Sequence, residues 1–176
     1  MIDSIQQILL RPEFLDCCEK WRTRIVPAGT LEDMYDGRIW KEFLNFKGKP
    51  FLSAPFNFVL SLNIDWFQAF KHTNSSIGAI YIAILNLPRE IRFRSENTIL
   101  VGVILGEPSL VINTILNPLV DDLQKLWHGV LMRSPTQNSV LVRAALLCVT
   151  CDIPAARKVC GFVRHRALKA CTKINA

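Results

Sequence analysis

The stretch NFVLSLNID, residues 57–65, sets the architecture of the chain. Apolar and polar side chains alternate along its second part, which is the period-two pattern of a β-strand with one buried face. The alternating residues are Leu60, Ser61, Leu62, Asn63, Ile64 and Asp65. A carboxylate that ends a buried strand destabilises the fold unless it is paired, hydrogen-bonded or bound to a cation. We therefore expect Asp65 to share its surroundings with a second group, and Asp152 is the candidate.

Patterns on the C-terminal side of this stretch predict an α/β fold with a mixed sheet. Near-continuous apolar runs at 79–85 and 99–105 predict two more strands, with connections short enough for antiparallel neighbours. An apolar stripe from Ile112 to Val130 predicts a helix. The helix starts either at Asn117, with Pro118 in its first position, or at Asn113, with Pro118 inside it. Residues 140–149 predict a fourth strand, which a right-handed crossover returns parallel to the first.

Three antiparallel strands, a helix and a parallel fourth strand are the order of the RNase H-like fold. The two central strands then end at the same edge of the sheet, where Asp65 and Asp152 are expected to meet. Mg²⁺ prefers oxygen ligands and keeps several waters, and two such ions can activate water and stabilise the leaving oxygen in phosphodiester cleavage. The alternative is two unrelated strand-terminal aspartates, one of which caps a helix that starts near Pro154.

The first 49 residues are expected to form a helical extension. Apolar residues recur at helical spacing over 3–25, and Thr30 with Asp33 resembles a capping box. Residues 47–50 have the composition of a linker. We therefore predict a helical N-terminal extension over 1–49 and a partial RNase H-like core with a basic tail over 50–176.

Charge is concentrated at the end of the chain. Residues 1–152 carry 15 Lys/Arg and 15 Asp/Glu, whereas residues 153–176 carry 6 Lys/Arg and no acid, so the tail holds the whole net charge of +6. A basic tail is typical of contact with phosphate. The predicted DNA contacts are Arg157, Lys158, Arg164 and Arg166, and a solvated surface helix is the alternative.

Composition excludes two classes of protein. Half of the residues are hydrophobic, which excludes a disordered chain. Because no apolar run reaches about 18 residues and the N-terminus lacks a basic region, we expect neither a membrane span nor a secretion signal. The 6 cysteines are then expected to be reduced. Cys148 and Cys151, three apart on a predicted strand, should point to opposite faces as packing residues.

Several runs of sequence resemble the transposases of CACTA (En/Spm-type) DNA transposons. The runs are 11–21, 34–40 (MYDGRIW), 62–68 (LNIDWFQ), 84–88 (ILNLP), 117–121 (NPLVD) and 151–156 (CDIPAA), and the resemblance as a whole extends from about Arg11 to Cys171. It implies an RNase H-like core in which three acids bind two divalent cations, Mg²⁺ or Mn²⁺. It also implies a nuclear protein, a possible homo-oligomer, that cuts and rejoins DNA at transposon ends. Asp65 matches the first catalytic aspartate and Asp152 the second.

The chain departs from the family after Asp152. The third acid of the family lies downstream, and no Asp or Glu follows Asp152 here. The family also has a His/Cys cluster, which His165 and Cys171 fit, but Ile174 stands where another cysteine is expected. A structural zinc site needs four ligands, so we expect no stoichiometric zinc. We therefore predict a truncated, catalytically incomplete N-terminal half of the core. The alternatives are a non-catalytic DNA- or protein-binding module derived from a transposase and a degenerate product that folds poorly.

Overall fold

A computed structural model describes residues 1–68, 76–106, 112–152 and 155–156. Five strands of this described part form one mixed sheet: β3 (Asn57–Gln68), β4 (Ser76–Ile84), β5 (Thr98–Leu105), β6 (Val130–Met132) and β7 (Val140–Cys151). Their spatial order is β5-β4-β3-β7-β6. A separate two-stranded hairpin is formed by β1 (Asn45–Phe46) and β2 (Lys49–Pro50).

Helices precede the sheet and connect its strands. Five α-helices are described: α1 (Ile2–Leu9), α2 (Phe14–Glu19), α3 (Arg38–Leu44), α4 (Arg89–Arg92) and α5 (Ile112–His128). Short 3-10 helices cover Lys20–Thr23, Met34–Asp36 and Ser95–Asn97. Within the described ranges, no helix is long and apolar enough to span a membrane.

The predicted strand arrangement is confirmed in its central feature, because β3 and β7 are parallel neighbours. The antiparallel pairing of β3 with β4 and of β4 with β5 is also as expected. Two details differ: the strand that carries Asp65 continues to Gln68, and the short strand β6 was not predicted. Of the two predicted starts of α5, the structure agrees with the earlier one, since the helix runs through Pro118.

A bulge in β7 changes which of its residues face which side of the sheet. Leu60 pairs with Leu146, but the next residue, Ser61, pairs with Cys148, so Leu147 is an extra residue. Leu146 packs with the core on the Leu60 side, whereas Leu147 and Cys148 pack with the core on the opposite side. Such an extra residue re-aims every side chain that follows it.

Both faces of the sheet are covered in part. One core joins the sheet to α1, α2 and α5, and its largest fully buried side chains are Ile5, Leu9, Leu60, Ile64, Ile82, Ile84, Leu87 and Leu126. The other core contains Tyr35, Trp40, Phe51, Leu52, Val59, Leu85 and Ala145. The N-terminal helices thus pack directly on the sheet, while the proposed division at residue 49 stays a prediction.

A buried ion pair between Asp33 and Arg92 lies next to Tyr35 of the second core. Arg92 Nη2 lies 2.9 Å from both carboxylate oxygens of Asp33, and Arg92 Nε donates to the carbonyl of Leu87. Tyr35 donates its hydroxyl to the same carbonyl at 2.6 Å. The capping box predicted for Thr30 and Asp33 is wrong by one turn: Asp33 itself is the cap and Asp36 is its reciprocal partner. Thr30 Oγ1 instead donates to the carbonyl of Pro27.

Candidate active site

Asp65 lies on β3 at the level where the neighbouring strand β7 ends. It pairs with Ala79 of β4, and its side chain is exposed. The strand continues beyond it because Trp66, Phe67 and Gln68 go on pairing with β4. Asp65 is thus held by strand pairing on one side, while its other side faces the end of β7.

Asp152 is the residue after β7, and it is also exposed. The last parallel pair of the ladder is Ile64 with Cys151, so Asp65 and Asp152 are the next residue of each strand. One carboxylate oxygen of Asp152, Oδ1, accepts a hydrogen bond from the backbone N–H of Ala155 at 2.6 Å. This is the capping role that the alternative interpretation assigned to Asp152. The structure gives no such bond to Oδ2 within the described residues.

The bulge at Leu147 determines the face of the sheet to which residues after it in β7 point. After the bulge, Asn63 pairs with Thr150, and the Asn63 Nδ2 group donates to Thr150 Oγ1 at 3.1 Å. Side chains two residues apart on a strand share a face, so Asp65 points to the face of Asn63. If the register of the last pair, Ile64 with Cys151, is continued by one residue, Asp152 lies opposite Asp65 on that face. A regular ladder would instead align Asp152 with the Leu60 side.

Asn63 contributes a second polar feature. Its Oδ1 atom is buried and has no hydrogen-bond partner among the described residues. A buried carbonyl oxygen without a donor is destabilising, and an oxygen of this kind is also a ligand that hard cations accept. Sequence reasoning placed Asn63 on this face but missed its bond to Thr150, which no spacing rule predicts.

The face around Asp65 is divided between apolar and polar residues. Exposed apolar residues lie near Asp65 on its own strand and on β5: Phe67, Leu100, Val103 and Leu105. Pairing across β4 puts these residues on the Asp65 face. On the side of β7, Thr150 and Asp152 follow. Asp65 therefore lies at the boundary between an apolar and a polar half of one exposed surface.

The described residues include no group of three or more His, Cys, Asp and Glu side chains that could hold a metal ion. The carboxylates of Asp65 and Asp152 nevertheless have the donor chemistry that Mg²⁺ and Mn²⁺ prefer, with waters completing the shell. The predicted DNA contacts Arg157, Lys158, Arg164 and Arg166, and the zinc candidates His165 and Cys171, lie outside the described residues.

The two cysteines of β7 point to opposite faces. Cys148 pairs with Ser61 and Cys151 pairs with Ile64, as predicted from their spacing on a strand. Burial raises the pKa of the Cys148 thiol, which disfavours the reactive thiolate. Cys148 is consequently a packing residue of the second core.

Comparison with known proteins identifies a family. Residues 28–176 match the family model described as transposase family tnp2. No curated protein and no solved structure matches this chain. The matched range includes both Asp65 and Asp152.

Proposed function

This chain belongs to the transposase family tnp2, and from that premise we propose that it forms part of the DNA-cleaving core of a CACTA (En/Spm-type) transposase. We propose an RNase H-like fold for this core, with Asp65 and Asp152 as its first two catalytic acids. The supporting observation is the parallel pairing of β3 with β7, whose last pair, Ile64 with Cys151, directly precedes the two acids.

In this proposal, Asp65 and Asp152 hold a divalent cation, Mg²⁺ or Mn²⁺. A cation held there would supply the activation of water and the stabilisation of the leaving oxygen that phosphodiester cleavage needs. Asp65 is placed by strand β3, which fixes a side chain more firmly than a loop does, and Asp152 is the residue directly after β7. The capping bond from Ala155 holds Asp152 Oδ1 in place, which leaves Oδ2 as the oxygen for a ligand.

We propose that the 176-residue chain does not cut DNA by itself. Two bound cations need enough negative ligands to offset their mutual repulsion, and the sequence has no Asp or Glu after Asp152. Asp121 and Asp122 lie on α5, and Asp122 pairs with the N-terminal amine and Lys125. The third ligand would have to come from another polypeptide or another part of the transposase.

Membership of a transposase family implies an interaction with DNA. We propose that transposon ends are the DNA bound and that the basic tail supplies contacts through Arg157, Lys158, Arg164 and Arg166. Nuclear location and assembly into a homo-oligomer belong to the same proposal. Neutralising the four residues should weaken binding to any sequence about equally, because phosphate contacts carry no sequence information.

A second candidate function is a non-catalytic DNA-binding module derived from a transposase. The observation that favours it is the hydrogen bond between Asp152 Oδ1 and Ala155 N–H, which gives that aspartate a structural reason to be present. In this case Asp65 and Asp152 would bind no cation, and the chain would keep only its DNA contacts.

Mn²⁺ binding separates the two functions. Titration of the purified chain with Mn²⁺, followed by water-proton relaxation, should show one weak site that Asp65→Asn and Asp152→Asn each remove. Asp121→Asn, which changes an exposed acid of α5, is the matched control and should leave the site intact. Absence of the site would favour the non-catalytic module.

A nicking assay on transposon-end DNA tests the missing third acid. We expect no metal-dependent product from the chain alone. Nicking that disappears in Asp65→Asn would show that the chain, or a second copy of it, supplies the missing ligand.

A further inference from the structure

A cleft at the other end of β3 and β7 combines positive charge with aromatic rings. It has a volume of about 350 Å³ and is formed by the β1–β2 hairpin, α5 and the start of β7. Three cations line it, Lys47, Lys49 and Arg143, together with Phe46, Phe51, Trp127 and Pro50. No carboxylate lines the cleft, and within the described residues none forms a salt bridge with these three cations.

Another cleft of the molecule has a different charge composition. A cleft of about 400 Å³ beside Trp21 also holds three cations, but three acids accompany them. Its charged lining residues are Lys20, Arg24, Arg89, Glu32, Asp33 and Glu90. Because the charges of that cleft cancel, it should not attract anions. The cleft formed by the β1–β2 hairpin, called the hairpin cleft below, has only positive charges and should attract them.

Arg143 is held in a fixed orientation in the hairpin cleft. Its guanidinium carbon lies 5.2 Å from the ring centre of Phe51 and 5.7 Å from that of Trp127. Its Nε donates to the backbone carbonyl of Trp127 at 3.1 Å. In the described part of the chain, its two terminal nitrogens have no hydrogen-bond partner. A guanidinium that is already stacked loses little side-chain entropy when those nitrogens bind a phosphate.

Lys47 occupies a backbone position that disfavours lysine. The hairpin has a two-residue turn, Lys47–Gly48, in which both residues have positive φ, 50° and 76°. Turns of this kind favour Asn, Asp or Gly at the first position. The turn places the Lys47 ammonium beside the ring of Phe46, 5.5 Å from its centre, and Lys49 is the cross-strand partner of Phe46. A strained lysine at an exposed turn is the type of outlier that points to function.

We propose that this hairpin cleft binds the phosphate backbone of duplex DNA, as a contact separate from the acids and from the basic tail. The proposal rests on the proposed transposase function. Arg143 pairs with Asn57, on the same face of β3 as Asp65. Eight residues of β3 separate the two levels, which is about 26 Å at about 3.3 Å per residue. On straight DNA, this distance corresponds to about 8 base pairs at about 3.4 Å each. The cleft would thus hold the flank of a duplex whose cleaved position lies at the acids.

The test measures how DNA affinity depends on salt. A fluorescein-labelled 30-base-pair duplex of arbitrary sequence is titrated with the full chain, and its anisotropy is followed at several NaCl concentrations. Each phosphate contact contributes about 0.9 to the slope of log K against log salt. The double variant Lys47→Asn, Lys49→Gln should therefore lower the slope by about 2. The control double variant Lys20→Gln, Arg89→Gln removes the same charge from the mixed cleft and should change the slope much less.

Folding is monitored separately from binding. Asn suits the turn position better than Lys, so Lys47→Asn should keep or raise the melting temperature while it weakens binding. If the double variant does not fold, Lys47→Asn alone carries the test, with an expected slope change of about 1. Equal slopes for the hairpin and control variants would overturn the proposed cleft while leaving the transposase function standing. A wild-type chain without salt-dependent DNA binding would overturn both.

Discussion

Asn63 on β3 donates a hydrogen bond from Nδ2 to Thr150 Oγ1 on β7, two residues before Asp65 and Asp152 respectively. Thr150 in turn donates its hydroxyl to the carbonyl of Leu62 at 3.3 Å. The two parallel strands are therefore joined by side chains immediately before the two acids, in addition to the backbone ladder. This joint fixes the distance between the strands at the position where the proposed cation binds.

Replacing Thr150 with valine should weaken both the joint and the cation site. Thr150→Val keeps the β-branched shape but removes the acceptor of the Asn63 amide, and we expect a loss of about 1 kcal/mol in the free energy of unfolding. Mn²⁺ affinity should fall with it. Thr150→Ser keeps the hydroxyl and is the control. Equal Mn²⁺ affinity in the Val and Ser variants would show that the joint does not position the acids.

Gly78→Ala should destabilise the strand pair that carries Asp65. Gly78 pairs with Trp66, and a Cβ atom at Gly78 would lie 2.7 Å from the Trp66 indole. Overpacking of this kind costs about 1–3 kcal/mol, measured as the shift in the urea midpoint. Gly102→Ala on β5 is the matched control, because its Cβ would meet only Ile80 Cδ1 at 4.0 Å. A midpoint shift as large in the control would contradict the role given to the Trp66 contact.

Removing Arg92 should cost far more than removing an exposed arginine. The Arg92 and Asp33 side chains are 3% and 8% exposed, so Arg92→Leu leaves a buried carboxylate without its cation. We expect a loss of about 3–5 kcal/mol by chemical denaturation. Arg38→Leu breaks a pair with Glu42 whose side chains are 88% and 62% exposed, and should cost less than about 1 kcal/mol. Comparable losses in the two variants would mean that Asp33 is solvated.

Tyr35 should make the protein less stable at alkaline pH. Burial raises the pKa of Tyr35 from 10.0 to about 12, against the opposing effect of Arg92. Between these values the unfolded chain has lost the phenolic proton while the folded chain keeps it, so the unfolded state binds fewer protons and stability falls as pH rises. Below pH 10 the group is protonated in both states, and its contribution is constant.

Urea denaturation at several pH values from 9 to 12 measures this slope, with Tyr35→Phe as the comparison. Tyr35→Phe loses the hydroxyl bonds to the carbonyls of Asn86 and Leu87, so it should be less stable at pH 9. Its stability should then fall less steeply than that of the wild type. Parallel curves would exclude Tyr35 as the titrating group.

The central strands could be predicted from sequence because their pattern has a physical cause. Alternation from Leu60 to Asp65 reflects one buried face, and the crossover rule makes the strand after α5 parallel to β3. These two facts predict that both acids lie at the same end of the sheet. The register of β7 after the bulge, which decides the face of the sheet to which Asp152 belongs, could not be predicted. The sequence of β7, VLVRAALLCVTC, is apolar on both sides of the bulge, so no change of alternation marks Leu147 as the extra residue.

Other features escaped prediction for different reasons. The strand β6 has 3 residues, too few to show a period. Residues 47–50 have the composition of a linker, yet they form the turn and second strand of a hairpin, because its stability comes from long-range packing. Phe51, next to the hairpin, stacks on Trp127, with ring centres 5.4 Å apart. The hairpin cleft could therefore not be foreseen, since Arg143 joins it from a distant part of the sequence.

The extra residue in β7 also bears on how this gene can change. Deletion of the Leu147 codon would convert the bulged ladder into a regular one and leave Cys148 and Thr150 opposite their present partners. Asp152 then still stands opposite Asp65. The bulge thus allows β7 to lose one residue without a change in the position of Asp152, the acid that directly follows this strand.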